Sequence, residues 1–149
     1  MTDLKHILLV EDNPNDVELT LEALTEHHVT NRVDVARDGV EALQYLRCEG
    51  PFANRLPGHP ALVLLDLKLP KVDGLQVLEE IKSNPQFRAI PVIMLTSSRE
   101  ESDLVRSYNL GVNAYVVKPV DFHQFMEAVR KIGAFWAVLN EPCPEGGAA

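Results

Sequence analysis

The sequence predicts a doubly wound α/β domain built on a five-stranded parallel sheet. Two observations carry the prediction. Five short apolar runs recur along the chain, continuous rather than alternating, as strands buried on both faces require. Between them lie segments whose apolar residues repeat with helical period, and strands alternating with helices give a parallel sheet covered on both sides. A length of 149 residues suits one such domain and a sizeable core.

The strands are read at Ile7–Val10, Val33–Ala36, Ala61–Leu65, Val92–Leu95 and Ala114–Val117. The first helix, Pro14 to about Glu26, carries Val17, Leu21 and Leu24 at spacings of four and three. Asp38 is read as the N-cap of the second, GVEALQYLR, with Cys48 as a small, partly buried residue on it. The third follows Asp73-Gly74 and stops before Pro85. The fourth opens at Ser98-Arg99-Glu100-Glu101, which fits a capping box. The last opens at Asp121 and runs to about Asn140. Glu49–Pro60 reads as an extended loop. The domain is taken as residues 1–140 with an extended last helix, and 141–149 as a frayed tail.

Composition narrows the function. Fourteen Lys and Arg against 22 Asp and Glu give a formal charge of −8, with no basic cluster, a poor basis for binding nucleic acid or an anionic membrane. The apolar run near the N-terminus is too short for a signal peptide or a membrane span. Cys48 and Cys143 form no framework, as expected of reduced thiols in a cytoplasmic protein. His6, His27, His28, His59 and His123 show no metal-type spacing and are read as surface or helix-end residues.

The strand ends carry the chemistry. Ligands of an open parallel sheet bind outside the carboxyl ends of its strands. There the sequence places Glu11-Asp12, Asp66, Thr96 and Lys118. Any one of them could mark only where a strand meets water; five of complementary kinds at neighbouring strand ends point to a site. Oxygen ligands without His or Cys favour a hard ion, and few ligands with open positions favour Mg²⁺. Mg²⁺ keeps company with phosphate oxygens, Lys118 offers a positive charge and Thr96 a hydroxyl. An ionised aspartate so compensated can attack phosphorus.

LLVEDNP, LLDLKLPKVDG, MLTSS and AYVVKP, in that order, resemble the receiver domain of bacterial response regulators over roughly residues 5 to 135. The resemblance implies the flavodoxin-like fold, with strand order 2-1-3-4-5. It implies that Asp66 accepts a phosphoryl group from a sensor histidine kinase. Such a protein is no conventional enzyme, although it promotes its own Mg²⁺-dependent phosphorylation and its autodephosphorylation. Glu11, Asp12, Asp66 and the backbone carbonyl of Lys68 match the metal ligands. Thr96 and Lys118 match the hydroxyl and the lysine, Tyr115 the switch aromatic, and Lys118-Pro119 the usual cis peptide. Pro70 and Asp73-Gly74 match the loop beside the phosphoacceptor, and the start of the first helix with Pro119-Val120 the kinase docking surface. The positions of Lys68 and Ser98 help set how long the acyl phosphate survives. Phosphorylation is expected to draw Thr96 inward and let Tyr115 fill the vacated space.

The long loop before the third strand and the GAFWAVLN extension resemble the single-domain regulators that partner bacterial phytochromes, several of them homodimers. Phe135 and Leu139 lie off the core-facing stripe, as an interface or as cover for the sheet edge. With no further domain expected after residue 140, output falls to surface contacts with a downstream protein. A phosphatase forming an aspartyl phosphate would want an aspartate where Lys68 stands. A flavin module would want a phosphate-cradling loop where the acidic EDNPND stands. A receiver-like interaction module that is never phosphorylated is the remaining alternative.

Overall fold

The computed structural model describes residues 5–26, 29–96 and 114–131. Its sheet consists of β1 (Ile7–Val10), β2 (Val33–Ala36), β3 (Leu62–Asp66), β4 (Val92–Thr96) and β5 (Ala114–Val117), all parallel in the order β2-β1-β3-β4-β5. Among the described residues the helices are α1 (Pro14–Glu26), α2 (Gly39–Arg47), α3 (Gly74–Ser83) and α4 (Phe122–Lys131), with a short 3₁₀ turn at Gly50–Phe52. The fold class and strand order are those expected. The helix expected from Ser98, the stretch beyond Lys131 with Phe135 and Leu139, and the tail lie outside the described residues.

The continuous apolar runs are explained by where alternate residues go. Ile7, Leu9, Leu62, Leu64, Ile93 and Leu95 face one way, against Val17 and Leu24 of α1 and Phe125, Met126 and Val129 of α4. Leu8, Val10, Val63, Leu65, Val92 and Met94 face the other, against Ala42, Tyr45 and Leu46 of α2 and Leu75, Val77, Leu78 and Ile81 of α3. A strand covered on both faces has no polar position to alternate with. Each fully buried Leu or Ile here contributes about 1.5–3 kcal/mol of transfer free energy.

β2 departs from that rule. As an edge strand it is half-buried, and Asp34 interrupts it. The Asp34 carboxylate accepts hydrogen bonds from Tyr45 Oη (2.6 Å) and His6 Nδ1 (2.7 Å), while Arg32 Nε lies 3.5 Å away. Burial pulls its carboxyl upward, but the bonds from Tyr45 and His6 outweigh that and hold it below the usual carboxylate range. His6 is therefore a surface histidine with a carboxylate partner.

Two further expectations need correction. Cys48 is not on α2 but caps its C-terminus in the left-handed region (φ 55°), its N–H donating to the carbonyls of Gln44 and Tyr45. Glu49–Pro60 is not simply extended. It contains the 3₁₀ turn, and Arg55 ties it down: Nε donates to the Tyr45 carbonyl, Nη1 to the carbonyls of Leu56 and Gly58, and the guanidinium lies 4.0 Å from the Tyr45 ring centre.

The helix starts lie where their caps predict. Asp38 accepts from Glu41 N, Asp73 and Gln76 form a reciprocal capping box, and Asp121 accepts from Gln124 N. Gly74 is the one glycine the site demands. A Cβ there would lie 2.2 Å from the Asp66 carbonyl oxygen and 2.7 Å from that of Leu67. Only glycine lets α3 begin directly against the end of β3.

Candidate functional site: an acidic pocket closed by one lysine

Register brings the strand ends level. Val10 pairs with Ala36 and Leu65, Asp66 with Leu95, and Thr96 with Val117. The ladder continues one step beyond the strands, through Glu11 N to the Ala36 carbonyl, Leu67 N to Leu95 and Lys118 N to Thr96. The side chains of Glu11, Asp66 and Lys118 therefore meet at one edge. β3 and β4 each end one residue later than the sequence suggested, so Asp66 and Thr96 belong to their strands and inherit their burial, at 5% and 3% exposed.

The centre is a lysine held by three carboxylates. Lys118 Nζ donates to Glu11 Oε1 at 2.9 Å, to Asp16 Oδ2 at 2.8 Å and to Asp66 Oδ2 at 3.4 Å. Side-chain exposure is 1% for Glu11, 7% for Asp66, 11% for Lys118 and 31% for Asp16. Burial alone would lower the lysine; its bonds to Asp16 and Glu11, with the charge of Asp66, more than reverse that and raise it. Lys118 therefore stays charged throughout the physiological range.

Asp66 responds in the opposite sense. Burial, then the charge of Glu11, push its carboxyl up to about 7, while Lys118 and the Lys68 N–H, 3.5 Å from Oδ1, pull against them. Oxygens of Glu11, Asp12 and Asp66 lie within 4.8 Å of one another. One ammonium facing Glu11, Asp12, Asp16 and Asp66 leaves the pocket short of positive charge. An acceptor-only set of oxygens, one of them forced towards its proton, fits a hard divalent cation. Glu11, Asp12 and Asp66 are the residues that would hold it, and bound there it would supply charge neutralisation at the Asp66 oxygens.

Thr96 ends β4 beside Asp66, Tyr115 is 37% exposed on β5 above α4, and the Lys118-Pro119 peptide is cis. Leu67, Lys68, Leu69, Pro70 and Asp73 line a cleft beside Asp12. Asp16 was missed by sequence reasoning. An acidic residue in the first turn of a helix is adequately explained by the helix dipole, and nothing in the chain ties it to a lysine 102 residues away.

The family described as response regulator receiver domain matches residues 7–130. The chain belongs to the response regulator receiver family. This receiver is 42% identical over 132 residues to the response regulator Rcp1 of Synechocystis sp., covering 89% of this chain and 88% of that protein. A crystal structure of the Mn²⁺-bound form of Rcp1 aligns with a TM-score of 0.72 at 41% identity, covering 89% and 94% of the two chains. The bacteriophytochrome response regulator AtBRR is 64% identical with a TM-score of 0.87, covering 94% of this chain and all of that one. The phosphorylated cyanobacterial phytochrome response regulator RcpA is 47% identical with a TM-score of 0.73, covering 89% and 94%. This receiver is thus a response regulator of two-component signalling, homologous to those of phytochromes, in a family whose standard reaction is phosphorylation of an aspartate. None of its described helices is long and apolar enough to cross a membrane.

Proposed function

We propose that this receiver accepts a phosphoryl group on Asp66 from the phosphohistidine of a sensor kinase, with Mg²⁺ as cofactor. The observation that carries the reading is the convergence of Asp66, Glu11 and Lys118 at one buried strand edge. An Asp66 oxygen attacks phosphorus while the bond from phosphorus to the donor imidazole nitrogen breaks, its electron pair staying on the imidazole. The product is an acyl phosphate; water later attacks phosphorus, releasing inorganic phosphate and restoring the carboxylate. Lys118 binds a phosphoryl oxygen and Thr96 donates its hydroxyl to another. Glu11, Asp12, Asp66 and the Lys68 carbonyl would hold Mg²⁺, which when bound would supply charge neutralisation at the Asp66 and phosphoryl oxygens.

The test uses acetyl phosphate and Mg²⁺ with intact mass as the readout. Wild type is expected to gain one phosphoryl group and Asp66→Asn none; equal labelling of the two sinks Asp66 as the acceptor, and no labelling of wild type leaves the unphosphorylated module.

Signalling then follows from a change of packing. As Thr96 turns to the phosphoryl oxygens, the ring of Tyr115 moves from its exposed position into the space beside β4, reshaping the face of β5 and α4 that a downstream protein reads. Tyr115→Ala should label normally yet lose phosphorylation-dependent partner binding. Unchanged binding would remove the switch.

Similarity to AtBRR and RcpA supports a bacterial phytochrome as the kinase, and we propose a cytoplasmic setting and a domain of residues 1–140. We also propose a homodimer through Phe135 and Leu139. A monomeric native mass both with and without phosphorylation would remove the dimer.

A further inference from the structure

Resting on that reading of Asp66, we propose that Asp16 is a competitor for Lys118: it holds the ammonium in the unphosphorylated protein and must release it when a phosphoryl group arrives. Asp16 is thus a positioning residue that sets how readily the phosphorylated state forms.

Lys118 makes three side-chain bonds. An ammonium has three protons, and the unphosphorylated site uses all of them, on Glu11, Asp16 and Asp66. The distances rank them. Asp16 is nearest at 2.8 Å and Asp66 farthest at 3.4 Å, so the lysine rests towards α1 rather than against the acceptor. Asp16 is well placed for this. Asn13 Oδ1 accepts from Asn15 N at 2.8 Å and Asp16 N at 3.3 Å, fixing the first turn of α1 so that the Asp16 carboxylate faces β5.

A phosphoryl group on Asp66 adds oxygens that carry more negative charge than the carboxylate they extend. Lys118 has no unused proton for them. One bond must be exchanged, and the most easily surrendered is that to Asp16, the only one of the three carboxylates about a third exposed, whose oxygen water can solvate after the lysine leaves. Glu11, at 1% exposed, cannot give up its partner so cheaply. The bond to Asp16 thus stabilises the unphosphorylated state selectively, and such a contact shifts the equilibrium by its own differential strength. Placement in the first helical turn explains an acid at this position, but it does not explain the bond across to β5.

The test measures binding of trifluoroberyllate, a phosphoryl mimic, in the presence of Mg²⁺. Replacing the charged competitor in Asp16→Asn is expected to tighten binding roughly threefold to tenfold, the scale of a partly exposed charge-assisted hydrogen bond. Asp16→Ser, which keeps a helix-starting residue, should do the same. Two controls isolate the route. Glu18→Gln removes an exposed charge from the same helix and should change affinity little. In a Lys118→Gln background, Asp16→Asn should have no further effect. Unchanged or weakened binding in Asp16→Asn, equal tightening by Glu18→Gln, or tightening that persists without Lys118 would each overturn the competition. Failure of wild type to bind trifluoroberyllate would instead overturn the reading of Asp66 itself.

Discussion

Without a divalent cation, the receiver is expected to lose stability as pH rises from about 5 to 8, and adding Mg²⁺ should remove most of that loss. The sign follows from Asp66. Its carboxyl is pushed up to about 7 in the folded protein, against 3.8 as the ordinary value. Between those two values the folded state keeps a proton that the unfolded chain has released, so stability declines with pH. The full shift corresponds to roughly 4 kcal/mol at about 1.4 kcal/mol per unit, an upper figure for a carboxyl coupled to Glu11 and Lys118.

The other shifted groups do not cancel it. Lys118 is raised above its ordinary 10.5, so its contribution is fully present below that value and is constant across this window. Asp34 lies below its ordinary 3.8, so its contribution is lost only as pH falls through still more acid values. A cation held by Glu11, Asp12 and Asp66 would take the place of the proton and favour the folded state, by about 2.7 kcal/mol at a hundred times its Kd. Urea midpoints measured in chelator from pH 5 to 8, then with Mg²⁺, would show both effects. A midpoint in chelator that stays level or climbs over that range would refute the first, and Asp66→Asn should flatten the slope.

The parts of the fold legible in the sequence were those governed by local rules. Continuous apolarity in β1, β3 and β4 reports burial on two faces, and Asp38, Asp73 and Asp121 mark helix starts because capping is a matter of three or four residues. Convergence of Glu11, Asp66 and Lys118 was legible because a parallel sheet puts all its strand ends on one edge. What escaped depends on contacts between distant segments. Asp34 looks like a flaw in an apolar run until Tyr45 and His6 are seen to hold it. Arg55 organises its loop through the Tyr45 carbonyl, a partner no turn rule names. Asp16 is ordinary in α1 and becomes informative only across the space to β5. The one-residue extension of β3 matters most. A carboxyl at the end of a buried strand is desolvated, whereas one just past it would be wet, and that difference pushes Asp66 upward.

Lys118→Gln is expected to slow phosphorylation by acetyl phosphate on the order of a hundredfold or more, while leaving the protein folded near pH 6. Among the described residues, Lys118 is the cation bonded to both Glu11 and Asp66, and deleting one preorganised donor at developing charge costs about 10²–10³ in rate. Stability is the harder question, because breaking a buried ion pair by removing one partner ordinarily costs about 3–5 kcal/mol. Here the penalty has a ceiling. Asp66 already binds its proton at about 7, so at pH 6 the variant sheds the unpaired charge of Asp66 by remaining protonated and leaves Glu11 as the buried carboxylate without its lysine. At pH 8 that escape requires binding a proton against its concentration, and Mg²⁺ becomes the better remedy. The variant's urea midpoint should therefore fall short of wild type by more at pH 8 than at pH 6, with Mg²⁺ narrowing the gap. Equal deficits at both pH values would mean that Lys118 holds the site by packing alone. An unchanged labelling rate would mean that its charge never reaches the phosphoryl oxygens. Both consequences have one origin. Burial and the charge of Glu11 make Asp66 costly to keep ionised, and Lys118 reduces that cost without abolishing it.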